Sequence, residues 1–297
     1  VVRPKHLDFT TKEQRHEDER EIVATGLPIK NSEEPIRRLR EENARMNNEL
    51  IDTSNLLLPE LETLKLGALK ETQSRGMKIL YISCVGSHMW GMNNRESDID
   101  LVMIYIAPTR KILRGERVPA TTRQEMAARG GGIYDTLGWE IGHLIDLLIK
   151  GNVNAIWHAT SPLVIMPSPV QEELSALVRA NLCRESYHSI KGMAESQIRS
   201  ETGQLRISEA GLVKRPGKGY RTALRTINFG IRLLREARIS FEPVVHDPAE
   251  EEVKEGMNRL DEAYLNSSLP DLPDENRFRD FLLRQRLEQM NEEIKND

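Results

Sequence analysis

Residues 85–105, Val-Gly-Ser-His-Met-Trp-Gly-Met-Asn-Asn-Arg-Glu-Ser-Asp-Ile-Asp-Leu-Val-Met-Ile-Tyr, decide the reading of this chain. They follow an apolar run, Ile79 to Val85, that predicts a buried strand. Gly86 and Ser87 break that strand, and Gly91, Asn93 and Asn94 mark a turn-prone segment. Ser97-Asp98-Ile99-Asp100 then leads into a second apolar run, Leu101 to Ile106, closed by Pro108. Alternate residues of a strand face opposite ways, so Asp98 and Asp100 share a face and Ile99 enters the core. Two carboxylates aimed at one spot repel, and either a proton or a cation must sit between them. Mg²⁺ suits hard oxygen ligands and phosphate chemistry, with Mn²⁺ as its substitute.

Taken singly, an Asp-x-Asp is most often a solvated face and a Gly-Ser is only a turn. Joined as strand, Gly-Ser, turn and SDxD strand, they form a more specific unit. Gly86 lets backbone approach a ligand, and Ser87 adds a hydroxyl donor to N–H groups that can cradle phosphate.

The pattern Gly86–Leu101 resembles the nucleotidyltransferase superfamily typified by DNA polymerase beta. Within it, the chain looks like the predicted nucleotidyltransferases of the RNA-repair-pathway group. The resemblance implies an α+β fold, with a mixed β-sheet flanked by helices as the nucleotidyltransferase core. It implies transfer of a nucleoside monophosphate from an NTP to a hydroxyl, with release of pyrophosphate. Asp98 and Asp100 would hold two metal ions, while Gly86, Ser87 and Ser97 would line the phosphate site.

Such transfer calls for a third acid on a neighbouring strand. Asp135 and Glu140 are the candidates. The resembling family carries an Asp on a short strand ahead of a helix ending in Lys-Gly-Asn. Here that is Asp135, on the predicted strand Ile133–Leu137, ahead of Lys150-Gly151-Asn152. Glu140 falls at a helix start, where its ordinary role is to oppose the helix dipole.

With 297 residues the chain can build one large or two modest domains. The expected division is a charged helical arm over 1–55, a catalytic core over 56–168 and a helical domain over 169–297. Helices are predicted over 32–51 and 56–70, then over Gln171–Leu182, Glu185–Ile198, Gly219–Arg238 and Asp274–Lys295. Residues 108–129 read as a loop with a short helix, residues 199–216 as loop, and Asp247–Glu255 as an acidic stretch. No apolar run is long enough to span a membrane. The first thirty residues are too charged for a secretory signal, and two cysteines, Cys84 and Cys183, make no disulfide framework. A reducing, cytoplasmic setting is the expectation.

The net charge of −4 argues against a dedicated nucleic-acid packaging protein but leaves room for a local basic groove. Lys214, Arg215, Lys218, Arg221 and Arg225 supply the densest positive stretch. Arg221 and Arg225 share a helical face, and Lys218 stands at the helix start, where N–H groups favour anions. The resembling family has Gly-Lys and an Arg-rich helix here, which implies triphosphate or acceptor contacts from Lys218, Arg221 and Arg225. Lys214 and Arg215 are the expected RNA contacts. The acceptor stays open among an RNA end, which is favoured, a small molecule and a protein side chain. The rival reading is a degenerate module that binds nucleotide or RNA without catalysis. His88 reads as a surface group.

Overall fold

The computed structural model describes Thr72 and residues 76–93, 97–127, 133–208 and 217–295. The expected arm and the predicted helices over 32–51 and 56–70 lie outside these residues, as do Lys214 and Arg215. Five strands form one mixed sheet in the order β3-β4-β2-β1-β5. They are β1 (Lys78–Cys84), β2 (Ile99–Ile106), β3 (Thr121–Ala127), β4 (Ile133–Glu140) and β5 (Val164–Met166). β2 and β4 run parallel; the other pairings are antiparallel. Nine helices accompany the sheet among the described residues. They are α1 (Gly86–Met89), α2 (Thr109–Leu113), α3 (Ile141–Ile149), α4 (Val153–Thr160), α5 (Pro169–Arg179), α6 (Ser186–Ser208), α7 (Lys218–Glu236), α8 (Glu250–Leu265) and α9 (Glu275–Lys295). The α+β class with a helix-flanked mixed sheet is as the sequence predicts.

β2 sorts its residues by parity. Ile99, Leu101, Met103 and Tyr105 fill an apolar cluster on one face of the sheet. Val102, Ile104 and Ile106 join the larger cluster on the other face, which α3, α4, α6 and α7 complete. Asp100 continues the second series, at the strand's beginning. α3 turns Ile141, Leu144, Ile145 and Leu148 inward at helical spacing, and α4 is buried along nearly its whole length. Gly230 lets α7 press against its neighbours. A Cβ there would stand 2.7 Å from Ile190 Cγ2 and 2.8 Å from a Leu260 methyl. The same apolar cluster runs from Leu80 in β1 to Phe281 in α9, so sheet and C-terminal helices share one core.

Three elements differ from the sequence reading. β3 forms from Thr-Thr-Arg-Gln-Glu-Met-Ala, a polar stretch that pairs only with β4 at the sheet edge and so needs no apolar alternation. α6 runs ten residues beyond Ile198, to Ser208. α8 stands where the acidic stretch was noted. Glu250, Glu251 and Glu252 occupy its first turn, where they complement the helix dipole, and Val253, Gly256, Leu260 and Ala263 form its buried face. Among the described residues no helix is long and apolar enough to cross a membrane. Cys84 and Cys183 are buried free thiols.

Candidate active site

The Gly-Ser segment leaves the sheet directly beside the start of β2. Val85 N donates to Asp100 O at 2.8 Å, and Cys84 pairs in register with Leu101. The predicted turn is the short helix α1. Trp90 N and Met92 N both return to Ser87 O, at 3.2 and 3.0 Å, and fold the segment back on itself. Gly86 is required twice. Its φ of +63° lies in the left-handed region, and a Cβ would land on the Asp100 carboxylate, 2.9 Å from Cγ. The missing side chain is the space that Asp100 uses.

The acids alternate as expected. Asp98 is exposed just ahead of β2, Ile99 is buried, and Asp100 is half-buried. On the parallel neighbour β4, Asp135 is the register partner of Asp100, as Tyr134 is of Ile99. The topology therefore puts the third predicted acid one strand from the second. Among the described residues no three His, Cys, Asp or Glu side chains gather as a metal cluster. Asp98 and Asp100 lie two residues apart around the start of β2, and Asp135 is placed by its register position.

Asp100 makes itself felt on two neighbours. Burial pushes the Cys84 thiol up to about 12, and the Asp100 charge adds to that rise. Burial pulls Arg225 down to about 10, against the pull of Asp100 toward the charged form. His88 is not the surface group the sequence suggested. Its ring is buried, which lowers its pKa, and a hydrogen bond to the Ser97 backbone opposes that fall. Nε2 of the ring is buried without a partner. His88 thus ties α1 to the residue that precedes Asp98.

The basic helix α7 divides its three candidates. Lys218 is exposed at the first position. The helix N-terminus does attract an anion, and that anion belongs to the chain: Glu201 of α6 accepts from Gly217 N at 2.6 Å and Gly219 N at 2.7 Å. A Cβ at Gly219 would stand 2.7 Å from Gln197 O, so glycine admits α6 at this point. Arg221 is paired with Asp247. Arg225 feels the Asp100 charge, and its guanidinium carbon lies 5.1 Å from the centre of the Trp90 ring.

Glu140 is fully engaged elsewhere. It caps α3 through Gly142 N at 2.7 Å, accepts from Ala107 N at 3.2 Å and pairs with Arg286 at 2.7 Å. Neither Glu201 nor the Trp90 contact is legible in the sequence. The one trace of the latter is the large apolar ring of Trp90 in a turn-prone segment.

A family model, RlaP, described as RNA repair pathway DNA polymerase beta family, matches residues 62–296. An uncharacterized protein of Methanocaldococcus jannaschii is 26% identical over 116 residues, which cover 39% of this chain and 47% of that protein. The chain therefore spans about half the length of that relative. The crystal structure of a nucleotidyltransferase-like protein from Exiguobacterium sibiricum covers 73% of this chain and 70% of its own, at 12% identity and a TM-score of 0.27.

Proposed function

The chain belongs to the RNA repair pathway DNA polymerase beta family, and from that membership we propose that it moves a nucleoside monophosphate from an NTP to a hydroxyl, with an RNA end as the favoured acceptor. One observation carries the reading. Asp100 stands in register with Asp135 and uses the space left by Gly86, so acids and phosphate turn converge on one end of the sheet.

In the proposed reaction the acceptor oxygen bonds to the α-phosphorus and the bridge from α- to β-phosphate breaks. Pyrophosphate leaves, and Asp135 takes the hydroxyl proton. Two Mg²⁺ ions, or Mn²⁺, held by Asp98, Asp100 and Asp135, would neutralise the triphosphate and activate the hydroxyl. The donor set fits hard cations, being carboxylate oxygen throughout, with Asp98 exposed and Asp100 half-buried at the strand's edge. Gly86 and Ser87 offer the phosphates a close backbone approach, and Ser97 lines the same edge. Arg225, which feels the Asp100 charge, meets the polyphosphate; Lys218 extends the positive face along α7, and Arg221 joins it when it leaves Asp247. Lys214 and Arg215 are the proposed RNA contacts.

The test is to incubate the protein and Mg²⁺ with each α-labelled NTP and, in separate arms, bulk RNA, protein or metabolites. Label on RNA termini, lost when Asp100 is replaced by Asn, supports the reading. Pyrophosphate release with label on protein or metabolites moves the acceptor. No label and no pyrophosphate with any NTP overturns it.

A further inference from the structure

Arg221 and Arg225 lie one turn apart on α7 and are held in different ways. Arg221 is closed on a carboxylate, Asp247. Arg225 lies over the face of Trp90, 5.1 Å from the ring centre, with Nη1 4.0 Å from Met92 Sδ. Its Nε is buried without an acceptor, and among the described residues its polar contacts end at that sulfur.

The distinction is one of charge. A carboxylate cancels a guanidinium, whereas a ring face attracts a cation through its quadrupole and carries no net charge. A cation held by an indole in a water-poor place keeps its whole field, and there an anion feels it most strongly.

Trp90 is itself fixed. It is 1% exposed and meets Trp157 edge-on at 5.3 Å, Phe241 at 5.0 Å and Phe229 at 5.9 Å. Phe229 stands four residues after Arg225, so one face of α7 supplies both the aromatic edge and the cation. Trp90 follows α1 directly, and the aromatic cluster therefore sets the distance between the Gly-Ser turn and the arginine.

We propose that Trp90 is the positioning residue for Arg225, holding its guanidinium over the indole face, bonded to no carboxylate among the described residues, as the cation that receives the polyphosphate of the nucleotide. This rests on the nucleotidyl-transfer reading and goes beyond it by assigning the arginine's orientation to an indole face.

Inorganic tripolyphosphate with Mg²⁺ is the probe, because it engages the phosphate contacts without base or sugar. Its affinity is measured by calorimetry for the wild-type chain and for Arg225→Met, Trp90→Leu, Trp90→Phe and the double variant Trp90→Leu/Arg225→Met. Each variant is first checked for a cooperative melt. Loss of a charge-assisted contact predicts about tenfold or greater weakening for Arg225→Met. Trp90→Leu weakens binding by a similar factor, Trp90→Phe keeps a ring face and stays within about threefold of wild type, and the double variant is no weaker than Arg225→Met. A purely structural Trp90 would lower the melting temperature and give additive losses, or none. Additive losses, or a Trp90→Leu protein that melts cooperatively and binds like wild type, overturn the proposal. Should Trp90→Leu fail to melt cooperatively, Trp90→Phe and Trp90→His decide. Phe keeps a strong ring face and His a much weaker one, so weaker binding by Trp90→His than by Trp90→Phe supports the proposal, and wild-type binding by Trp90→His with full Arg225 dependence overturns it. If Arg225→Met binds the probe normally while Asp100→Asn abolishes transfer, this proposal falls and the proposed function stands. A wild-type chain that neither binds the probe nor transfers label overturns both.

Discussion

The parallel pair of β2 and β4 carries acid near both of its ends, and the two ends are built in opposite ways. At one end Asp100 is in register with Asp135; at the other, Tyr105 is in register with Glu140. Glu140 is sealed. Its side chain is 6% exposed and its oxygens accept from two backbone N–H groups and from Arg286 of α9, itself 15% exposed. Asp98 and Asp100 sit at an edge that stays accessible, beside a glycine whose missing Cβ leaves room for a carboxylate. The same chemical group thus serves as a structural cross-link where donors saturate it, and is proposed as a metal ligand at the edge.

The largest expected effect breaks the open end. Asp98→Asn and Asp100→Asn should each cost about a thousandfold or more in metal-dependent transfer, since ligand loss removes several kcal/mol of charge stabilisation. Without metal, their melting temperatures should hold or rise, because like-charge repulsion is relieved. Gly86→Ala should lose transfer as they do, as the new methyl meets Asp100, but with a lower melting temperature, because its φ is left-handed. Equal turnover by either Asn variant contradicts the assignment of the open end.

Next, the two ends are set against each other. Asp135→Asn should lower kcat by about a hundredfold or more with little change in NTP affinity, as expected when a general base is lost. Glu140→Gln should leave the chemistry mild but destabilise the fold by about 3 kcal/mol, because it strands a buried Arg286. Turnover assays beside denaturant melts separate the two, and reversed outcomes exchange the roles of Asp135 and Glu140.

The closed end should also carry a pH signature. His158 of α4 packs against Trp139 with ring centres 4.4 Å apart, and burial pulls its pKa down to about 3. The folded ring therefore stays neutral where the unfolded ring takes up a proton, near its ordinary 6.5. Stability from this group is complete above about 6.5 and is lost progressively as pH falls toward about 3. His158→Gln should flatten that part of the melting-temperature profile; an unchanged slope would place the acid sensitivity elsewhere.

The smallest effect reads the field at the open end. Cys84 is raised to about 12 by burial first and by Asp100 second. Asp100→Asn should therefore quicken Cys84 alkylation at alkaline pH only modestly, by about a few-fold, since desolvation remains. A large acceleration would mean that the Asn variant had opened the core.

What the sequence disclosed follows the range of the forces involved. The β1–turn–β2 unit was legible because strand alternation is local: Asp98, Ile99 and Asp100 sort themselves with no distant partner. Asp135 was identified through resemblance, and its register with Asp100 is a product of chain topology. β3 escaped because an edge strand needs few apolar residues, and α8 because its buried face is spaced with Gly256 and Ala263 among larger residues. His88, Glu201 and Trp90 escaped for another reason. Each takes its role from a residue far away in the chain or across a turn: Ser97, Gly217 and Gly219, and Arg225 respectively. A lone side chain in a sequence does not announce such a partner.

The central claim is that the open end of the β2–β4 pair binds the metal that nucleotidyl transfer needs. Titrating the protein with Mn²⁺ in the presence of a non-hydrolysable NTP, and following free Mn²⁺ by its electron paramagnetic resonance signal, tests it directly. Two Mn²⁺ should bind per wild-type chain, with clear loss in Asp100→Asn and no loss in Glu140→Gln. Equal Mn²⁺ uptake by wild type and Asp100→Asn, or loss confined to Glu140→Gln, would contradict it.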